Sequence, residues 1–157
     1  MHKHNMPALF KTLLVVLYSV IAGTAHAAEP ALLTQFVAGR TLDETTEVLK
    51  QAIASHNYTF VRQQAIDSRL VPVDWEVKSV RIVYFCNFDM MDAALRRDIR
   101  TARIMPCRIT LIEGSKGVDL VAVNPAWISE QWNVPDLQPG CVHLKQDYLA
   151  ILEEAAL

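Results

Sequence analysis

The sequence predicts an α+β fold, a small and largely antiparallel sheet with helices packed on one face. Three observations predict it. Thr41-Leu42-Asp43-Glu44 is a capping box that opens a helical apolar stripe. Residues 77–86 alternate as a strand does. A glycine-bounded turn at 114–117 joins two further strand-like runs, and an amphipathic helix closes the chain. With 157 residues, 52% of them hydrophobic and 20% charged, the chain has the length and the apolar content for one packed domain. Its formal net charge of -2 leaves no basic excess to hold phosphates, so nucleic-acid binding is not expected.

Residues 1–27 read as a secretory signal peptide rather than as part of the fold. His2, Lys3, His4 and Lys11 make a cationic start, and residues 13–22 are an apolar run too short to span a bilayer comfortably. Ala25-His26-Ala27 places small residues at the two positions a signal peptidase inspects. Cleavage after Ala27 is expected, which leaves residues 28–157 as a single domain in the periplasm or outside the cell, with no membrane attachment. Lys3 and Lys11 leave with the peptide and no acidic residue does, so the formal charge moves from -2 to -4. Outside the cytosol disulfides persist. The chain has 3 cysteines, Cys86, Cys107 and Cys141, so at most one internal bridge can form.

The first helix is expected over 42–56, with Leu42, Leu49, Ala52 and Ile53 on its apolar stripe and Val48 beside it. Asn57 suits its end because asparagine tolerates the left-handed conformation. Residues 58–66 read as a strand and 68–72 as a break. In the strand 77–86, Val80, Ile82, Tyr84 and Cys86 fall on one face, with Arg81, Val83 and Phe85 on the other. Asn87 or Asp89 caps a second helix that ends near Arg97, with Met91, Ala94 and Leu95 as its buried stripe. A strand over 107–113 carries Cys107, Ile109 and Leu111 on one face, and its hairpin partner covers 118–123. Pro125, Pro135, Pro139 and Gly140 read as a loop holding Trp127 and Trp132, and the closing helix as 144–156.

Phe85-Cys86-Asn87 and Met105-Pro106-Cys107 resemble two elements of the domain-of-unknown-function family 302. One is a Cys-Asn-Pro opening a short helix, the other a Leu-Pro-Cys leading into a hairpin strand. Phe88 stands here in place of that proline, and Met105 in place of that leucine. The likeness covers roughly residues 41–123. It implies a compact α+β domain similar to the TATA-box-binding-protein-like fold, often dimeric. It implies no activity and supplies no catalytic residues, and a fold likeness brings no DNA binding with it.

Five groups of residues could carry chemistry. Cys86 and Cys107 sit at strand ends. They read as buried thiols, as a disulfide with Cα atoms within ~8 Å, or as ligands of a metal, a heme or a redox centre. Cys141-Val142-His143 is a Cys-x-His element that could serve a soft metal or heme iron, or could be a helix-start turn with a solvated histidine. Met90, Met91 and Met105 lie near the cysteines, where thiolate and thioether together suit copper(I), although the helical stripe reads Met91 as core filler. Trp127 and Trp132, with Tyr84 and Phe88, could line an apolar ligand pocket or simply cover a small core. Asp89, Asp92 and Asp98 lie among Arg96, Arg97, Arg100 and Arg103, the pattern of a solvated, salt-bridged face. No Gly-x-Ser-x-Gly, Walker, His-Glu-x-x-His, dinucleotide-glycine or Cys-x-x-Cys-His pattern occurs.

The function expected is binding rather than turnover, with no catalytic residues assigned and the cofactor left open. The ligand would be a small apolar or cofactor-like molecule, or a second copy of the chain as a homodimer. The alternatives are a periplasmic thiol-redox or metal- and heme-handling protein using Cys86, Cys107 and Cys141, and an accessory subunit of a periplasmic protein complex.

Overall fold

The computed structural model describes residues 28–66 and 80–157. The expected signal peptide and the break at 68–72 lie outside the described residues. Five strands make one sheet: β1 (Leu32–Ala38), β2 (Thr59–Ile66), β3 (Val80–Cys86), β4 (Cys107–Gly114) and β5 (Gly117–Val123). Their order across the sheet is β1-β5-β4-β3-β2, and every neighbouring pair is antiparallel. Helix α1 (Leu42–Ser55) links the two edge strands, α2 (Phe88–Arg97) follows β3, α3 (Pro125–Trp132) follows β5, and α4 (Gln138–Ala156) closes the chain. The fold is α+β with helices packed on one sheet face, as the sequence predicts.

The local signals work as their chemistry requires. The backbone N–H of Thr41 donates to Glu44 Oε2 at 2.9 Å, and the Glu44 N–H donates to Thr41 Oγ1 at 3.3 Å, so two orphan donors of α1 are satisfied reciprocally. Asn57 takes the left-handed conformation just beyond α1 (φ 63°). Asn87 caps α2 by accepting from the Met90 N–H at 3.1 Å. The β4–β5 hairpin turns through Ser115 and Lys116, with Gly114 facing Gly117 across the register.

Leu33, Val37, Val83, Phe85, Ile109, Leu111, Val118, Leu120 and Ala122 point from the sheet toward Leu49 and Ile53 of α1 and Ile151 and Leu152 of α4, and all are buried. Removing this apolar surface from water is the main favourable contribution to the fold. Phe85 sits at its centre. Tyr58 meets it edge-on at 5.5 Å and Tyr148 does so at 5.4 Å.

Several expectations need correction. Strand β1 is not expected from the sequence at all. It pairs with β5 along its full length, Leu32↔Val123 to Ala38↔Gly117. The segment expected to be a loop around Trp127 and Trp132 is helix α3, and α4 begins at Gln138, not at Leu144. The prolines that suggest a break start helices instead. Pro125 is in the first turn of α3 and Pro139 in that of α4, where a missing N–H costs nothing. Asn124 caps α3 and Asn133, left-handed at φ 51°, ends it. On β3 the face packed against the helices is that of Val83 and Phe85, whereas Val80, Ile82 and Tyr84 lie on the opposite face and are half-buried. No residue of α2 is fully buried; Met91, Ala94 and Leu95 are half-buried.

The start of the described chain is tied to α4. Lys145 Nζ lies 2.7 Å from Glu29 Oε2, and the buried Asn124 donates to the same oxygen at 3.0 Å and to the Pro30 carbonyl at 2.7 Å. The Lys145 hydrogen bond, and then that of Asn124, hold the Glu29 carboxyl below its ordinary value of 4.5. A carboxyl lowered by folding stabilises fully above its unfolded value, and the contribution disappears as pH falls through the folded value. Glu29→Gln is therefore expected to lower stability at pH 7 by at most about 1 kcal/mol. At pH 3 the difference should shrink toward zero. Urea midpoints at the two pH values measure it, and an equal difference at both would show that the carboxylate charge plays no part.

Candidate functional site

The end of the sheet where β3 stops and β4 starts collects the reactive side chains. Helix α2 ends after ten residues, and one 3₁₀ stretch, Ile99–Ile104, brings the chain back to Cys107. Phe85 is the register partner of Cys107, so Cys86 lies one residue beyond it on the neighbouring strand. Strand geometry puts such diagonal Cα atoms about 6 Å apart.

Both cysteines, and Cys141 as well, are free thiols in the structure, the first of the readings the sequence leaves open for the pair. Cys107 pairs with Phe85 and packs at the edge of the core, and Cys86 Sγ lies 3.5 Å from Met91 Sδ at the start of α2. Burial pushes the Cys107 thiol up to about 11, against an opposing hydrogen bond with Tyr148. Burial also raises Cys86 and Cys141, the latter against a hydrogen bond with Ser129. All three are protonated at neutral pH, the opposite of the lowered pKa that makes a redox-active nucleophile.

Three cavities surround this end. One of ≈40 Å³ is lined by the sulfur-bearing Cys86, Met90, Met91, Met105 and Cys107, with Tyr58, Asn87 and Leu144 completing the wall. A second, of ≈140 Å³, lies toward α3 and is lined by Met105, Cys107, Ile128 and Tyr148 among others. The third is a cleft of ≈310 Å³ between α2 and the start of α4. Met90, Ala94, Ile104, Met105, Leu137 and Cys141 form its apolar wall, and Arg97, Thr101 and Asp136 supply polar groups. Arg97 Nη1 donates to the Asp136 carbonyl at 3.0 Å, which ties α2 to the turn before α4. Met105 borders all three cavities.

Of the residues singled out in the sequence, Cys86, Cys107, Met90, Met91 and Met105 come together here, and Cys141 lies in the adjoining cleft. Tyr84, Phe88, Trp127 and Trp132 line none of the three cavities. Tyr84 is on the far sheet face under the Arg62 guanidinium, 4.5 Å from the ring centroid, and Phe88 is exposed. His143 is mostly solvated, 3.7 Å from Asp147, and does not share the cleft with Cys141, because positions two apart on a helix do not face the same way. Asp92 and Asp98 pair with Arg96 and Arg100 on the surface, as the charge pattern predicts.

Sequence reasoning missed Tyr58, Asp147 and Tyr148. Tyr58 donates to Asp147 Oδ2 at 2.6 Å and approaches Met90 Sδ at 3.5 Å, and the Tyr148 hydroxyl accepts the Arg108 N–H at 3.1 Å. Burial raises both phenols, and the Asp147 carboxylate raises Tyr58 further, so both remain neutral donors. Tyr58 and Tyr148 belong to elements 90 positions apart in sequence, and no local pattern links them.

A family profile described as "Domain of unknown function DUF302" matches residues 19–155, a wider span than the resemblance at 41–123. The crystal structure of an uncharacterized conserved protein, DUF302, from Bacillus stearothermophilus has the same fold. It superposes with a TM-score of 0.74, covering 81% of this chain and 99% of that one at 16% identity. No curated protein matches the chain.

Proposed function

The chain belongs to the DUF302 family, and from that premise we propose that it is an exported, non-catalytic binding domain whose ligand is a small, largely apolar molecule held in the cleft between α2 and α4. The observation that carries this reading is the cleft itself. At ≈310 Å³ it reaches the size range of small-molecule sites, and its wall is mostly apolar with few polar groups. Arg97 at its edge suits a ligand with a polar or anionic end. The raised thiols argue against turnover through a cysteine nucleophile. Export rests on the cationic start, the apolar run and Ala25-His26-Ala27. Among the described residues no helix is long and apolar enough to cross a membrane.

One experiment tests both halves. The protein recovered from the cell envelope is weighed intact under native and denaturing conditions. The denatured mass should correspond to a chain beginning at Ala28, and the native mass should exceed it by one small molecule extractable into organic solvent. Ala94→Trp, which fills the cleft from α2, should remove that extra mass while the protein still unfolds cooperatively. Retained Met1 would refute export. A native mass with no adduct, or an adduct that survives Ala94→Trp, would refute the cleft as the binding site.

A further inference from the structure

The geometry points to a copper(I) site at the sheet end, with the thiolates of Cys86 and Cys107 and the Met91 thioether as ligands and Met90 and Met105 closing the wall. It adjoins the apolar cleft, with Met90 and Met105 on the wall of both, but the inference does not depend on the cleft's being occupied.

The distribution of sulfur carries the inference. Residues 28–157 contain six sulfur-bearing side chains, Cys86, Met90, Met91, Met105, Cys107 and Cys141. Five line the ≈40 Å³ cavity and the sixth lines the cleft next to it. The main hydrophobic cluster between sheet and helices has no sulfur among its buried members; Met90 and Cys107 pack against its edge, and the buried Cys86 lies outside it. All three methionines of the domain lie at one end of the sheet, around two cysteines brought there from separate strands.

The donor set selects the metal. Thiolate and thioether are soft ligands that favour copper(I). Structural zinc needs four ligands drawn mainly from Cys and His. Among the described residues no group of three or more His, Cys, Asp or Glu could hold a metal ion. Neither histidine of the domain reaches the cavity, since His56 pairs with Glu154 at 3.0 Å and His143 faces solvent beside Asp147. The size agrees. At ≈40 Å³ the pocket is too small for an organic ligand and has room for a single ion. The 3.5 Å between Cys86 Sγ and Met91 Sδ is a chelating span. With metal–sulfur bonds of ~2.3 Å, an ion between them would subtend roughly 100°. Binding one copper(I) replaces the two thiol protons, which leave to solvent, and the metal is neither oxidised nor reduced.

The test is an anaerobic titration of the reduced full chain with copper(I) against bathocuproine disulfonate, followed by X-ray absorption at the copper edge. One copper(I) per chain should be withdrawn from the chelator, and the spectrum should show sulfur ligands alone. Cys86→Ser combined with Cys107→Ser should abolish the withdrawal, and Met91→Leu, which keeps volume, should weaken it more than about tenfold. Cys141→Ser should change it by less than about twofold. A chain that leaves all copper with the chelator, a spectrum with nitrogen or oxygen ligands, unaltered binding in Met91→Leu, or binding lost in Cys141→Ser would each overturn the site. The wild-type spectrum and Met91→Leu decide the matter even where the double variant does not fold. Copper(I) uptake without an organic adduct would remove only the apolar-ligand reading, and the reverse result would remove only the copper site.

Discussion

Phe85→Ala is expected to be the most damaging single substitution in the domain, with a loss of about 3–5 kcal/mol. The side chain has no exposed surface, and it is the contact between two tyrosines from distant segments, Tyr58 and Tyr148. Truncation removes the transfer free energy of a phenyl ring, leaves a cavity walled by rigid strands, and deletes both edge-to-face contacts. A domain of this size is stable by only about 5–15 kcal/mol in total. The variant should therefore unfold at a far lower urea midpoint with an unchanged slope. Phe85→Leu should recover most of the loss. The effect should also reach the sulfur cluster, because Phe85 pairs with Cys107 and precedes Cys86. Faster alkylation of both thiols in folded Phe85→Ala would report it. A loss below about 1 kcal/mol would mean that the aromatic trio does not organise the core.

The second large effect is expected at Gly117, and its cause is backbone rather than packing. Gly117 has φ 151°, a conformation L side chains rarely adopt, and an added Cβ would lie 2.1 Å from the Val37 carbonyl oxygen and 3.0 Å from Ala38 Cα. Both obstacles are main-chain atoms of β1, so no rotamer change relieves the clash. Gly117→Ala should separate β1 from β5 at this end of the sheet and cost about 2–4 kcal/mol. Amide hydrogen exchange should speed up in β1 while β2 and β3 keep their protection. Gly114→Ala is the control, since its added Cβ would meet only the Gly117 carbonyl at an ordinary 3.6 Å. A near-neutral Gly117→Ala would show that β1 can move aside at little cost.

The sequence alone determined the elements whose causes lie within a few residues of one another. The Thr41–Glu44 capping box, the α1 stripe, the Asn87 cap of α2 and the Gly114–Gly117 hairpin are all local interactions, and each is where the sequence predicts it. The α+β class followed from them. Tertiary structure decided what local chemistry leaves open. Strand β1 exists because β5 offers it a partner, and its own residues are apolar on both faces, with Leu33 and Val37 inward and Leu32 and Phe36 outward. Both faces of β3 are apolar too, so alternation shows that two faces exist but not which one the helices cover. Pro125 and Pro139 look the same in a sequence whether they break a helix or begin one, and packing of α3 on α4 settles it. The sulfur cavity and the apolar cleft were legible only as a list of residue types. Their walls are assembled from β3, α2, the 3₁₀ turn, β4 and α4, and only the antiparallel return of β4 beside β3 makes neighbours of Cys86 and Cys107. Contacts between residues far apart in sequence leave no periodic mark in any one segment, so the site appears only once the chain is folded.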